Sequence, residues 1–337
     1  MLNLLSNGPD LGIDLGTSHT PVVERGRGVT LLEPSYVAID RRKGKVVAVG
    51  AKAMRMDGRS PEHIRVVKPI KDGVVADYDV AEALLRHLLT CLRRRHPRVL
   101  VGIPTDATEV ERRAVSEAAR EAGARTVFTL PQPLVAAVGV GLPVLEARGS
   151  MVVDIGGGTS EAAMVSLGGI VSSGCVRSAG DRMNQVIQAH LRRKRNLLVG
   201  ERSAEQLKLE CGAARQLDEP LVGRVRGRDL TSGLPRSVEV DSHELAEVLA
   251  PNLAELADLV RTTMEGTPPE LVGHVMESGI ALCGGGALLR GLDHYLSEAT
   301  GVYCYKVEEP LTAVARGAGT LLADRALLKA LLASHGR

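Results

Sequence analysis

The chain has 337 residues, 44% of them hydrophobic and 24% charged, with 37 Gly and 16 Pro. These proportions match ordinary globular usage and exclude disordered, fibrous and collagen-like chains. A balance of 42 basic against 40 acidic residues leaves +2, and there is no Trp, one Phe and five Tyr. A polycation that coats nucleic acid is therefore excluded, stacking platforms for bases are missing, and no nucleic-acid partner is expected.

The length predicts two domains or one two-lobed body. Cys91, Cys175, Cys211, Cys283 and Cys304 are scattered without a CxxC pair, as expected of buried free thiols in a reducing cytosol. The opening MLNLLSNGPD has neither a basic n-region nor a cleavage site, so it does not read as a secretory signal. No apolar run nears the roughly 18 residues of a bilayer span. The expectation is a soluble, cytoplasmic chain that can still lie against a membrane.

In chain order, residues 11–17 read LGIDLGT, a short apolar strand ending in Asp, then glycine and a hydroxyl residue, followed by a second apolar run at Pro21, Val22 and Val23. This strand, turn, strand pattern predicts a β-hairpin. Pro21 cannot donate to a ladder, which predicts distortion beside the turn. Ala81, Leu84, Leu85, Leu88 and Leu92 share one face of a helix predicted to end in Arg93, Arg94 and Arg95. A continuous apolar strand over 98–103 is halted by Pro104, and a capped helix is predicted over 108–123. Residues 151–159, MVVDIGGGT, repeat the first hairpin about 140 residues on, with a second run at 162–165. A third glycine turn, Gly284, Gly285 and Gly286, follows an apolar run over 279–282, with a helix predicted over 287–300 and a closing helix over 321–333. Alternating strands and helices around echoed hairpins predict an α/β protein of two related lobes, with the glycine turns facing each other across a cleft.

A single glycine hairpin is a tight turn and nothing more. Three of them, two with Asp before and Thr after, suit a phosphate: glycines let backbone N–H groups approach its oxygens, and a hydroxyl can donate beside them. Asp14 and Asp154 are acceptor-only side chains of the kind hydrated Mg²⁺ takes. The chain contains neither GxxxxGK[ST] nor GxGxxG, which disfavours P-loop and dinucleotide folds.

The pairing of DLGT with DIGGGT resembles the actin, sugar-kinase and Hsp-type chaperone ATPase superfamily. Within it the chain is similar to the bacterial actin homologues of the MreB/Mbl family. The likeness is carried by DLGIDLGT at 10–17, LEPSYVAID at 32–40, RVVKPIKDGVVADYDV at 65–80 and GIPTDATEVERRAV at 102–115. It continues through SMVVDIGGGTSEAAMVSLGGIV at 150–171, NLLVGERSAE at 196–205, VRGRDLTSGLP at 225–235 and GGGALLRGLD at 284–293. It runs nearly end to end. It implies an actin-like ATPase fold of two lobes in four subdomains: IA at 8–31, 68–140 and 308–337; IB at 32–67; IIA at 141–177 and 240–307; IIB at 178–239.

The resemblance further implies ATP and Mg²⁺ as cofactors, slow ATP hydrolysis, homopolymer filaments, cell-shape and cell-wall synthesis membrane proteins as partners, and a place at the inner face of the cell membrane. Matched residue by residue, the terminal phosphates fall to Gly16, Thr17, Ser18, Gly156, Gly157, Gly158 and Thr159. Asp14 and Asp154 fall near the metal, and Gly284, Gly285 and Gly286 form the adenosine loop. Gly180 and Asp181 match a ribose-side turn, and Glu205 and Lys208 match the pair flanking adenine and ribose; without the resemblance that pair reads as a solvated helix pair. Gln132 stands where MreB carries glutamate and actin carries glutamine. An amide can orient an attacking water but cannot act as a general base. Gln132 is thus the water-positioning candidate, with Asp154 as the metal-side contact to water.

Departures and rivals stay open. Cys283 replaces the usual threonine and lacks a nearby His base, so it is not read as a nucleophile. The basic loop 93–97 and the leucines of residues 1–5 support only weak peripheral membrane contact. The basic run Arg192, Arg193, Lys194 and Arg195 reads first as a helix end. A chaperone would need a domain beyond the closing helix, and a metabolite kinase would need substrate inserts; neither is visible. A nucleotide-binding scaffold that does not polymerise, or has lost hydrolysis, is the serious alternative.

Overall fold

A computed structural model describes residues 10–335. Two five-stranded sheets carry the molecule. In the first, strand Asp10–Asp14 pairs antiparallel with His19–Glu24, which pairs antiparallel with Gly28–Pro34. On its other edge Asp10–Asp14 pairs parallel with Arg98–Ile103, which pairs parallel with Thr126–Pro131. The second sheet repeats this wiring: Ser150–Ile155 pairs antiparallel with Ser160–Ser166 and that with Gly169–Val176, while Ile280–Cys283 and Cys304–Lys306 add in parallel. The echo in the sequence is thus a duplication of topology, each lobe beginning with a hairpin whose first strand lies at the sheet centre.

Central position explains the composition of these strands. Arg98–Ile103 is buried at every residue, as a parallel strand covered on both faces must be. Helix Tyr78–Cys91 covers the first lobe through Ala81, Leu84, Leu85 and Leu88 and is capped by the Asp77 side chain. Helix Glu109–Glu121 opens on a reciprocal capping box between Thr108 and Glu111. Between the lobes, Gln132–Gly139 crosses Ala313–Ala323 so closely that a Cβ on Gly139 would strike the Ala313 carbonyl and one on Gly317 the Val135 carbonyl. Only glycine allows that crossing, and it places two rigid helices directly beneath the cleft.

Smaller three-stranded sheets extend each lobe at its mouth. Val37–Asp40, Lys45–Val49 and Ile64–Val67 form one, and Leu197–Leu198, Val222–Asp229 and Pro235–Asp241 the other. Two lobes, each with a large inner and a small outer part, make the actin-like arrangement that the sequence implies.

Several expectations are corrected in detail. The distortion predicted at Pro21 is mild and local: His19–Glu24 remains one strand, but its ladder with the first strand stops at Val22, the residue after the proline, and its ladder with Gly28–Pro34 shifts register between Val22 and Val23. The predicted helix over 287–300 begins at Leu292, after a 3-10 turn at Gly285–Leu288, because Gly291 takes a left-handed conformation. The closing helix is two helices, Ala313–Ala323 and Arg325–His335, broken at Asp324. Helix Tyr78–Cys91 ends before its arginines, with Arg93 left-handed. Of the thiols, Cys211, Cys283 and Cys304 are buried, but Cys91 is exposed. The leucines at residues 1–5 and the outer limits of the IA segments lie outside the described residues.

Candidate functional site

The two hairpin turns meet across a cleft of about 790 Å³, within the size range of small-molecule sites. Gly16 N–H closes the first turn on the Asp14 carbonyl at 3.0 Å, and Gly156 N–H closes the second on the Thr159 carbonyl at 2.9 Å. The turns then pack face to face. A Cβ on Gly157 would strike the Ser18 hydroxyl, and one on Gly158 would lie 2.5 Å from Thr17 Oγ1 and 3.0 Å from Asp72 N. These glycines are needed because the opposite turn occupies the space a side chain would take.

Every sequence-predicted site residue lines this one cleft: Asp14, Gly16, Thr17, Ser18, Gln132, Asp154, Gly156, Gly157, Gly158, Thr159, Gly180, Asp181, Glu205, Lys208, Gly284, Gly285 and Gly286. Gly284 needs its left-handed φ of 77° and sits against Asp154 and Ile155, with its N–H on the Pro310 carbonyl at 2.9 Å. Gly180 and Asp181 form the start of helix Gly180–Arg195 rather than a turn, and their N–H groups bond the Gly156 and Gly157 carbonyls. Glu205 and Lys208 face each other on helix Glu201–Cys211 at 2.8 Å, and Lys208 Nζ also reaches the Gly180 carbonyl at 3.0 Å. Burial alone raises the Glu205 carboxyl, yet Lys208 and the Asn184 amide hold it below its ordinary value.

The floor of the cleft is acidic. Burial and then the Asp154 charge push the Asp14 carboxyl up to about 8, against a hydrogen bond from Gln132 Nε2 at 3.1 Å. Burial pushes Asp154 up to about 6. Neither has a cationic partner among the described residues, and no cluster of three or more metal-ligating side chains occurs there. Two uncompensated carboxylates without a full protein cage suit Mg²⁺, which takes few carboxylates and keeps several waters and phosphate oxygens.

Sequence reasoning passed over several residues that the fold brings here. Lys68 Nζ bridges the mouth to Asp181 and Glu201 at 2.9 and 2.7 Å, and lies 5.5 Å from the Tyr36 ring centre. Asn184 donates to Glu205 at 2.6 Å. Glu161, two residues after Thr159, lines the cleft with its carboxyl pushed by burial up to about 8. Its adjacency to the second glycine turn was the available signal. Lys68 offered none, because its partners lie more than 110 residues away.

A duplicated pair of lobes, with matching Asp-Gly hairpins clamped across one cleft, defines the actin-like fold. The MreB/Mbl protein family matches residues 8–330, and the chain belongs to that family. It is 47% identical over 322 residues to the cell shape-determining protein MreB of Escherichia coli K12, covering 93% of each chain. It is 42% identical over 317 residues to the cell shape-determining protein Mbl of Bacillus subtilis 168, covering 93% of this chain and 95% of that one. Among solved structures, MreB5 of Spiroplasma citri bound to ADP superposes with a TM-score of 0.90 at 33% identity, over 96% of this chain and 98% of that one. The same protein bound to AMPPNP matches equally. A MamK double helical filament, at 23% identity and TM-score 0.79 over 94% of this chain and 99% of that one, shares the fold.

Proposed function

We propose that this chain is an ATP-dependent, actin-like cytoskeletal protein whose filaments lie against the inner face of the cell membrane and guide cell-wall synthesis, and so cell shape. The observation that carries the reading is the face-to-face packing of the two hairpin turns over an acidic floor. The names of the relatives and the nucleotides in the similar structures support it.

In this reading Gly16, Thr17, Ser18 and Gly156 to Thr159 hold the terminal phosphates through backbone N–H and hydroxyl groups. Asp14 and Asp154 hold Mg²⁺, which offsets phosphate charge when bound. Glu205 and Lys208 flank the adenine and ribose, Gly180 and Asp181 lie on the ribose side, the loop Gly284 to Gly286 lies along the adenosine, and Gln132 orients the attacking water. The four subdomains have the limits drawn from the sequence. Nucleotide joining the lobes favours one closed shape, and that shape stacks head to tail into an open polymer. Hydrolysis is slow, because Gln132 cannot take a proton.

Membrane contact is weak and peripheral in this reading. No helix among the described residues is long and apolar enough to cross a bilayer. In the basic loop Arg94 is already paired with Glu24, which leaves Arg93 and Arg95 exposed. The run at 192–195 ends its helix as expected, with Arg195 on Glu244 at 2.7 Å.

The test is negative-stain microscopy on an anionic lipid monolayer with Mg-ATP, Mg-ADP and no nucleotide. Filaments that appear with ATP and fade without it are the expected result. Folded, ATP-bound protein that never polymerises over a broad concentration range would leave a nucleotide-binding scaffold in place of a cytoskeletal one.

A further inference from the structure

The first glycine turn faces the cleft through Gly16, Thr17 and Ser18, yet the groups that fix its shape lie behind it. Ser35 and Thr20 are both fully buried. Ser35 stands between strand Gly28–Pro34 of the large sheet and strand Val37–Asp40 of the small outer one. Its hydroxyl donates to the Gly16 carbonyl at 2.6 Å, and its N–H donates to the Ser18 carbonyl at 2.9 Å. One residue therefore holds two carbonyls of the turn. A serine hydroxyl has a single proton, and here that proton goes to Gly16. In the 2.9 Å contact between Thr20 Oγ1 and Ser35 Oγ, Thr20 must then be the donor. The bonds run in one direction, from Thr20 to Ser35 to Gly16, a chain in which each bond polarises the next.

The consequence falls on the other side of the peptide plane. Every peptide bond among the described residues is trans, and a trans peptide carries its C=O and N–H in opposite directions. Drawing the Gly16 carbonyl back onto Ser35 turns the Thr17 N–H away from Ser35, toward the cleft that Thr17 lines. Neither the Thr17 nor the Ser18 N–H has a backbone acceptor among the described residues. The Ser18 nitrogen would lie 3.2 Å from a Cβ on Gly157, so it too faces the opposite turn. Two free donors are thus presented between the turns. Resting on the ATP-dependent reading above, we propose that Ser35 is a positioning residue for phosphate: it touches no ligand, and by holding the Gly16 carbonyl it preorganises the Thr17 N–H as a donor to a terminal phosphate oxygen. The Ser18 carbonyl, held by the Ser35 N–H, is the second anchor that keeps the turn in this orientation.

Ser35→Ala removes the hydroxyl and keeps the N–H on Ser18. The test compares its affinities for Mg-AMPPNP, Mg-ADP and adenosine with those of the wild type, adenosine being followed by ligand-observed NMR at millimolar concentration. A donor that has lost its orientation weakens only ligands that carry terminal phosphates. Mg-ADP and Mg-AMPPNP are expected to bind about five- to tenfold more weakly, the net worth of roughly one hydrogen bond, while adenosine stays within about twofold. Thr20→Val keeps the side-chain shape and removes the donor to Ser35; it is expected to give a smaller loss of the same kind, about threefold. If Ser35→Ala does not fold, Thr20→Val alone decides. Phosphate-bearing ligands that bind each folded variant as tightly as the wild type would overturn the proposal. So would an equal loss for adenosine, which would mark Ser35 as a prop for the cleft as a whole. A wild-type chain that binds no nucleotide would instead remove the functional reading on which the proposal rests.

Discussion

The Lys68 ammonium sits 2.9 Å from Asp181 Oδ2 although the two residues belong to opposite lobes and are 113 positions apart. Glu201 joins them at 2.7 Å, so one cation ties both helices of the small outer part of the second lobe to the outer sheet of the first. Burial opposes charge on both groups, but the Asp181 and Glu201 carboxylates more than compensate for Lys68, whose ammonium is held above its ordinary range. The bridge closes the mouth of the cleft over whatever lies on its floor.

Lys68→Met is therefore predicted to speed nucleotide release. These side chains are partly screened by solvent, so the tie is worth about 0.5–1 kcal/mol, roughly a two- to fivefold faster off-rate. Stopped-flow displacement of a fluorescent nucleotide measures it. An unchanged off-rate would mean that the mouth stays shut without the bridge.

Gly158→Ala is predicted to hold the turns apart. Its methyl group would press on Thr17 Oγ1 and the Asp72 backbone, and backbone cannot give way as a flexible side-chain tip can. A destabilisation of about 1–3 kcal/mol is expected, with a larger proportional loss in nucleotide affinity. Gly273→Ala, a helical glycine with open space around it, is the matched control and should be neutral or slightly stabilising. Thermal melts with and without Mg-ADP separate the two effects.

How much of this was legible in the sequence follows from the range of each interaction. The hairpins at Asp14 and Asp154 were visible because strand, glycine turn and strand are local patterns, and the capping box at Thr108 for the same reason. The convergence of the glycine turns was expected from their echo, and the fold bears it out. The breaks at Gly291 and Asp324 were missed because apolar periodicity runs through them, and a left-handed glycine or a cap leaves little trace in composition. Lys68 and Asn184 were missed for a different reason. Each gains its role from a partner on another element, Asp181 and Glu205 respectively, and a single sequence carries no record of that pairing.

Gln132→Glu, which replaces the amide with a carboxyl group, is predicted to destabilise the nucleotide-free protein. Gln132 donates to Asp14 at 3.1 Å; an ionised glutamate cannot donate, and it adds a charge beside two buried carboxylates. The lost bond and the unpaired acceptor cost about 1–3 kcal/mol. Mg²⁺ with nucleotide should restore most of it by neutralising the floor. Equal stability of the two proteins without nucleotide, by urea unfolding, would show that the Gln132 amide does not stabilise Asp14.

The acidic floor also predicts how stability varies with pH. Asp14 is raised from 3.8 to about 8, Asp154 from 3.8 to about 6 and Glu161 from 4.5 to about 8, in each case chiefly by burial. A carboxyl raised on folding holds its proton in the native state at pH values where the unfolded chain has released it. Between the two values the native state binds more protons, so stability falls as pH rises. Below about pH 4 these groups contribute no pH dependence, and above about pH 8 their effect is complete. Within the window each group that remains protonated only when folded lowers stability by about 1.4 kcal/mol per pH unit, steepest between pH 4.5 and 6, where all three act together. The nucleotide-free protein should thus unfold at lower urea concentration at pH 8 than at pH 6, a trend opposite to the usual acid lability of salt-bridged carboxylates. Mg²⁺ with nucleotide favours the ionised forms of Asp14 and Asp154, so saturating Mg-ADP should flatten or reverse the slope. A urea midpoint that rises from pH 6 to pH 8 without nucleotide would show that these three carboxyls are ionised in the folded protein.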